Sequence, residues 1–231
     1  MTITVAQLRA TEFLDHDSAE VQRFVHRWLP ADASDPISRA LALYEAVRDR
    51  VNYEVFGADL SREGLRASQV IARRSGMCLH KSVLYAAALR AAGVPSRLLL
   101  TDVRNHLASP RLRELVGGEV FTFHGLTVVH NGQRWVRATP VFNKTLCRLY
   151  GIAPLDFDGL RDSLHHPFDL KGRKHMEFLR EHGEFDDFPY DLVLTGLRSA
   201  HPAMFASPTR FVAGSLVADA DRNQPRQGDA A

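Results

Sequence analysis

The feature that most constrains this chain is a cysteine, Cys78, placed directly before an alanine-rich run. Ser75 is expected to cap a helix here by accepting a hydrogen bond from a free backbone N–H, and Gly76 to let the chain turn tightly. Gly93 then ends the helix and Pro95 prevents its resumption. The segment therefore predicts a buried helix whose first turn carries the thiol.

The position of that thiol indicates a possible nucleophile. A cysteine in the first turn of a helix lies near unpaired N–H groups and the positive end of the helix dipole. Both favour the thiolate, which is the nucleophilic form of the side chain. The alternative interpretation is that Cys78 is a small buried apolar residue, as free cysteines often are.

The composition argues against several classes of protein. The chain has only two cysteines, Cys78 and Cys147, too few for a disulfide framework or a four-thiolate zinc site, and we expect no metal. The formal net charge of +2 does not point to nucleic acid. No apolar stretch has the roughly 18 residues needed to cross a bilayer, and the N-terminus lacks a signal-peptide core. We expect a cytoplasmic protein without nucleic-acid or membrane partners.

Patterning divides the 231 residues into four parts of one fold. Residues 1–56 have the helical spacing and cap signals of an N-terminal helical part. Residues 57–145 form the core, which includes an apolar run at Ser96–Val103 typical of a strand covered on both faces. Residues 146–212 are expected to be a loop-rich extension packed on that core. Residues 213–231 are expected to be a disordered tail.

A β-hairpin is the clearest strand signal in the chain. An Asn131-Gly132 dipeptide, which favours a two-residue turn, separates two strand-like segments. That turn fixes the register and places His124 directly opposite Thr139. The two segments are Phe121–His130 and Gln133–Thr139.

The hairpin offers partners for the cysteine. If it packs against the predicted helix, Cys78, His124 and Thr139 converge as a nucleophile, a base and a residue that orients the base. The alternative is that His124 is a hydrogen-bonded histidine of the sheet with no catalytic role.

The order and spacing of these motifs resemble the transglutaminase-like superfamily over roughly residues 37–143. The resemblance implies an α+β, cysteine-protease-like fold in which the nucleophile helix packs on an antiparallel sheet or barrel. It matches Cys78 to the nucleophile and His124 to the base. The motifs that carry it are Leu89–Arg97 after the helix, Trp135-Val136 on the second strand, Asp102–His106 and Ala138–Asn143.

One position departs from the family pattern. An aspartate usually precedes the proline that closes the second strand, and this chain has Thr139 there. A hydroxyl can accept a hydrogen bond from the imidazole, but it stabilises an imidazolium less well than an anion does. Asp102, Asn143 or Asp158 could instead approach His124 from elsewhere in the chain. Tyr53 is a further candidate to line the cleft.

We therefore expect a cysteine enzyme that acts on an amide bond of a peptide or protein, most simply as a peptidase or amidase, with no cofactor. Water as the acceptor makes the protein a hydrolase, and an amine makes it a crosslinking acyltransferase. One alternative is a catalytically weak module that binds a peptide or protein, which the uncharged Thr139 favours. Another is an acyl-CoA-dependent transferase, similar to the arylamine N-acetyltransferases. The Asp/His-rich segment 156–175 is interpreted as a solvated or site-covering loop.

Overall fold

A computed structural model describes residues 3–165, 168–206 and 214–223 of the chain. Helices and a four-stranded sheet alternate along it, after a single 3-10 turn at Val5–Gln7. The helices are α1 (Ala19–Trp28), α2 (Pro36–Arg50), α3 (Ala67–Arg73), α4 (Cys78–Ala91), α5 (Pro110–Val116), α6 (Lys144–Tyr150), α7 (Tyr190–Ala200), α8 (Pro202–Ala206) and α9 (Leu216–Asn223). The strands are β1 (Asn52–Tyr53), β2 (Ser75–Gly76), β3 (Ser96–Asn105), β4 (Val120–His130), β5 (Trp135–Ala138) and β6 (Met176–Phe185).

The sheet has the strand order β5-β4-β3-β6, and every neighbouring pair is antiparallel. Helix α4 packs across β4 and β3. On β3, Leu98 and Leu100 join the main core under the helix, whereas Leu99 packs with a second cluster on the opposite face. The prediction of a strand buried on both faces is confirmed. The α+β class, with a helix on an antiparallel sheet and helices at the N-terminus, is also as predicted.

The two N-terminal helices start at the residues that the cap signals indicated. Ser18 accepts a hydrogen bond from the Val21 N–H, and Asp35 accepts from the N–H groups of Ile37 and Ser38. Caps of this kind stabilise a helix by about 1 kcal/mol each. Helix α2 lies against α4, where the Tyr85 hydroxyl donates to the Ala40 carbonyl.

The start of α4 differs from its prediction. Ser75 does not cap the helix, because Ser75 and Gly76 form the short strand β2, which pairs in parallel with β1. The N-cap is Met77, which makes no side-chain cap. Gly76 is required for close packing rather than for a turn, since a Cβ atom there would lie 2.5 Å from the Cβ of His80.

The hairpin forms, but its two-residue turn lies one residue later in the chain than predicted, and the register is shifted accordingly. His130 pairs with Trp135, and the Asn131 N–H donates to the Arg134 carbonyl, so the turn centres on Gly132-Gln133. The cause is the Asn131 side chain, whose Oδ1 accepts the N–H groups of the two residues that follow Gly132. His124 is consequently not opposite Thr139, and the ladder ends at the pair Thr127–Ala138.

The interpretation of residues 146–212 as loop-rich is wrong in one major respect. Strand β6 spans ten residues and forms the outer edge of the main sheet beside β3. Its sequence contains too many charged residues to resemble a buried strand. Charged residues are typical of strands at the edge of a sheet. Those charges pair with β3, as in Arg97–Glu184 and Arg104–Glu177.

The prediction of a disordered tail over 213–231 is wrong for residues 214–223. Helix α9 is held by the Leu216 N–H, which donates to Glu54, and by the Tyr150 hydroxyl, which donates to the Leu216 carbonyl. The Ser109 hydroxyl donates to Asp219 from the other side. The helix covers an apolar cavity, so a few apolar residues are enough to hold it against the rest of the protein. The rest of the predicted tail, residues 213 and 224–231, lies outside the described residues.

Candidate active site

Cys78 is the first residue of α4 and is 4% exposed. Three backbone N–H groups, those of Gly125, Leu79 and Cys78 itself, interact with the sulfur and lower its pKa. Burial has the opposite and larger effect and raises the pKa of the thiol to about 11. The surroundings of Cys78 thus favour the thiol, whereas its place at the helix start alone predicts a thiolate.

His124 lies on β4, directly opposite Thr101 of β3. Its imidazole is 4% exposed, and its Nε2 atom has no hydrogen-bond partner. Burial, with a smaller contribution from nearby His165, lowers the pKa of this imidazole to about 4. His124 is therefore neutral at pH 7, which is the form that can accept a proton.

The glycine after His124 brings the strand onto the helix. A Cβ atom at Gly125 would lie 2.6 Å from the Ser82 hydroxyl and 3.2 Å from the Leu79 backbone. Only a residue without a side chain allows this approach, and the approach brings the Gly125 N–H to the sulfur of Cys78. A glycine within a predicted strand is the sequence signal from which this close backbone contact could have been found.

Cys78 and His124 line one cavity, which we call the main cavity, with a volume of about 60 Å³. The structure thus brings the predicted nucleophile and base to the same space. Tyr53, on β1, lines this cavity as expected, and burial raises the pKa of its phenol.

Thr139 shares a second space with His124, a cavity of about 20 Å³ that we call the small cavity. Thr139 is 5% exposed and its hydroxyl has no hydrogen-bond partner, while its carbonyl accepts from the Tyr44 hydroxyl. Thr139 follows the last residue of β5 and lies beyond the end of the ladder, so the sheet register does not pair it with His124. What the two residues share is the small cavity, which both of them line.

Asp102 lies on β3, and its carboxylate has partners other than His124. Its Oδ1 atom accepts the Phe123 N–H at 3.1 Å and lies 2.7 Å from Nε2 of His182. The ladder is irregular here, and Phe123 has a left-handed φ of 59°. Asp102 thus holds the bulge that immediately precedes His124, rather than contacting the imidazole. The sequence analysis missed its partner, His182, because β6 was not predicted.

The remaining polar candidates have structural partners. The Asn143 side chain accepts the Tyr53 N–H and ties β1 to the start of α6. The Asp158 carboxylate accepts the N–H groups of Leu160 and Arg161, within its own turn. Neither residue takes the place of the missing aspartate.

The Asp/His-rich segment contributes to the site. His165 and His175 line the small cavity together with His124, so part of the segment covers the site. Among the described residues, no cluster of three or more histidine, cysteine, aspartate or glutamate side chains is arranged to hold a metal ion. Within the same residues, every helix is too short or too polar to cross a bilayer.

The arrangement can support proton transfer followed by nucleophilic attack. A neutral thiol beside a neutral imidazole holds the same number of protons as a thiolate–imidazolium pair, so the pair can interconvert without exchange with solvent. Cys78 lines the cavity at the first turn of α4, where backbone N–H groups without a partner inside the helix can stabilise a developing oxyanion.

Comparison with known proteins gives a family match. The model of the family described as "Transglutaminase-like superfamily" matches residues 23–140, which include Cys78, His124 and Thr139. A search of curated proteins found no significant match.

Two solved structures resemble the chain at low identity. One is a candidate cysteine protease from Cytophaga hutchinsonii, with 15% identity, a TM-score of 0.46, and coverage of 78% of this chain and 53% of that one. The other is a candidate protease from Parabacteroides distasonis, with 14% identity, a TM-score of 0.37, and coverage of 52% of this chain and 23% of that one. The chain thus spans about half of the first protein and a smaller share of the second.

Proposed function

The chain belongs to the transglutaminase-like superfamily, and from this premise we propose that it is a cysteine-dependent enzyme that cleaves an amide bond of a peptide or protein by acyl transfer. The observation that carries the proposal is that Cys78 and His124 line one cavity and that both are almost fully buried. A buried thiol and a buried imidazole in contact with the same space are the minimum set for nucleophilic catalysis with a general base.

The first half of the reaction forms an acyl-enzyme. His124 accepts the proton of the Cys78 thiol as the sulfur attacks the carbonyl carbon of the substrate. The carbonyl oxygen then becomes an oxyanion, which the Cys78 N–H is suited to bind. As the C–N bond breaks, His124 returns the proton to the leaving amine, and the acyl group remains on the sulfur as a thioester.

The second half releases the acyl group. His124 accepts a proton from water, the resulting hydroxide attacks the thioester, and the C–S bond breaks to give a carboxylic acid. The sulfur leaves as a thiolate and recovers its proton from His124. With an amine in place of water the same steps give a new amide. Hydrolysis is the simpler proposal because it needs no second binding site.

Thr139 is proposed to orient His124 during these steps. Its hydroxyl is buried, has no partner, and lines the small cavity beside the imidazole. A rotation of either side chain would let the hydroxyl accept a hydrogen bond from the ring N–H when the imidazole becomes protonated.

The test compares variants on fluorogenic peptide amides. Cys78→Ala is expected to abolish turnover, and His124→Gln to lower kcat by at least about 100-fold. Cys147→Ala removes the second cysteine and is expected to retain most activity. Turnover that survives in Cys78→Ala would overturn the proposal.

A second candidate function, a module that binds a peptide without turnover, is favoured by one observation. The residue in the third position is an uncharged threonine, Thr139. Thr139→Asp separates the two candidates. A large gain in Cys78 reactivity together with absent wild-type turnover would support the binding module, whereas wild-type turnover supports the enzyme.

A further inference from the structure

Besides Cys78 and His124, the main cavity is lined by helices that follow β3 in the chain. One wall is formed by α5, α7, α8 and α9, none of which carries the nucleophile or the base. The apolar side chains that form this wall include Leu112, Val116, Leu197, Met204 and Leu216. Each of them is 5% exposed or less.

The described residues that line the main cavity include no lysine, arginine, aspartate or glutamate. Several of its polar groups are already engaged. The Ser109 hydroxyl donates to Asp219, and the Tyr150 hydroxyl donates to a backbone carbonyl. His201 is held at both ring nitrogens, by the Thr122 N–H and the Val116 carbonyl. A charged substrate group here would lose its hydration without finding a counter-charge, which is costly.

The volume sets the size of the group that fits. About 10–15 Å³ of such volume corresponds to one water-sized position. A cavity of about 60 Å³ therefore accommodates roughly four to six heavy atoms. That is the size of a branched aliphatic chain or a small ring.

The group in this cavity is the acyl part of the substrate. Cys78 lines the main cavity and does not line the small one. The acyl group stays bonded to the sulfur after the amine has left, so it occupies the space that contains the sulfur. The leaving amine needs contact only with His124, which lines both cavities.

We propose, on the basis of the proposed function, that the main cavity is an acyl-binding site selective for an uncharged, apolar acyl group of about four to six heavy atoms beyond the carbonyl. The enzyme thus acts on amides whose carbonyl carries an aliphatic or small aromatic group. Short acyl groups are poor substrates because they leave the cavity unfilled. Acyl groups that carry a carboxylate are poor substrates because they bring a charge into it.

The first experiment keeps the leaving group constant and varies the acyl group. The p-nitrophenyl esters of acetate and isocaproate are compared on the wild-type protein, after subtraction of the Cys78→Ala rate. Each buried methylene is worth about fourfold, so the isocaproyl ester is expected to have a kcat/KM at least about 20-fold higher. Equal values for the two esters would overturn the proposal.

Filling the cavity should remove this preference. Leu112→Phe places a larger side chain in the space and is expected to lower the isocaproyl-to-acetyl ratio at least about fivefold. Ala108→Val is a smaller change in the loop before α5, which also lines the cavity, and is expected to lower the ratio less. Leu192→Phe, at a position that is 49% exposed on α7, is the matched control and should leave the ratio unchanged. An unchanged isocaproyl-to-acetyl ratio in a cavity-filling variant that still folds would contradict the proposal.

The second experiment does not depend on turnover. Iodoacetamide alkylates Cys78 at about pH 9 in the presence of isocaproamide or of its isosteric acid, succinamate. Isocaproamide is expected to slow alkylation and succinamate to leave it unchanged. Protection by isocaproamide without any Cys78-dependent ester turnover would leave the acyl site standing and overturn the proposed function. No protection, or equal protection by both, would overturn the acyl site.

Discussion

At the scale of single residues, two opposing effects act on the sulfur of Cys78. The first-turn N–H groups and the Gly125 N–H favour the thiolate, as a helix start is expected to do. Burial acts against them, because a charged sulfur loses its hydration in an apolar cavity. Burial prevails, since a few partial charges do not replace a full hydration shell.

Alkylation of Cys78 in the unliganded protein should therefore be slow at neutral pH. A thiol with a pKa of about 11 is ionised much less at about pH 8 than a free thiol with a pKa of about 8.5. We expect iodoacetamide to react roughly 100-fold more slowly than with a free thiol, and the rate to rise about tenfold per pH unit toward pH 11. Mass spectrometry of the Cys78 peptide measures the rate apart from Cys147. Rapid labelling in mild acid would show an ion pair instead.

His124 should make the fold sensitive to acid. Its pKa is about 4 in the folded protein and about 6.5 when unfolded, so the unfolded state binds more protons between these values. The free energy of unfolding is unaffected above about pH 6.5 and falls by about 3 kcal/mol as the pH drops to about 4.

Urea unfolding of the wild type and His124→Gln, each at about pH 8 and at about pH 4.5, measures this contribution. At the higher pH, the difference in the free energy of unfolding between the wild type and the variant reports packing alone. The imidazole is neutral at that pH in both the folded and the unfolded state. We expect the wild type to lose more stability than the variant on acidification. Equal losses would mean that His124 is not buried in its neutral form.

At the scale of elements, the contact between α4 and β4 assembles the site. Gly125→Ala introduces a Cβ atom 2.6 Å from the Ser82 hydroxyl, and the two elements must move apart. We expect a loss of about 1–3 kcal/mol in the free energy of unfolding, with reduced Cys78-dependent turnover.

The double variant Gly125→Ala/Ser82→Ala provides the control for that change. Removing the hydroxyl relieves the closest contact, although the contact of 3.2 Å with the Leu79 backbone remains. Partial recovery of stability in denaturant unfolding is expected from this double-mutant cycle. Additive losses would indicate that the strand does not lie against this face of the helix.

Elements with strong local signals could be predicted from the sequence. Capped helices, an apolar strand and a hairpin were predicted in the right places. The structure places Cys78, His124 and Tyr53 around one cavity, and their roles there stay predictions. The hairpin register could not be predicted, because it depends on which residues the Asn131 side chain binds. Strand β6 could not be predicted because its charges are paired by residues distant in sequence, such as Arg97 and Arg104 of β3.

At the scale of the whole molecule, the cavity depends on the last described helix. Leu216 is 3% exposed and lines the main cavity; its N–H donates to the Glu54 carboxylate, and its carbonyl accepts from the Tyr150 hydroxyl. Sequence patterning had no means to identify this role, since α9 has few apolar residues and gains its stability from distant parts of the chain.

Leu216→Ala should therefore weaken both the fold and the enclosure of the site. We expect a loss of about 2–4 kcal/mol in the free energy of unfolding, together with faster alkylation of Cys78. Val217→Ala, at a neighbouring position that is 46% exposed, is the matched control and should change both quantities little. Equal effects of the two substitutions in thermal unfolding and alkylation assays would argue against a covering role for α9.

The central claim is that Cys78 carries the acyl group and that His124 accepts the proton of the thiol as this group is transferred. Mass spectrometry of the protein quenched during turnover of p-nitrophenyl isocaproate tests this most directly. We predict a transient acyl group on Cys78 in the wild type, and much slower formation of that group in His124→Gln because no base accepts the thiol proton. An acyl group on another residue, or equally rapid acylation of Cys78 in both proteins, would contradict the account.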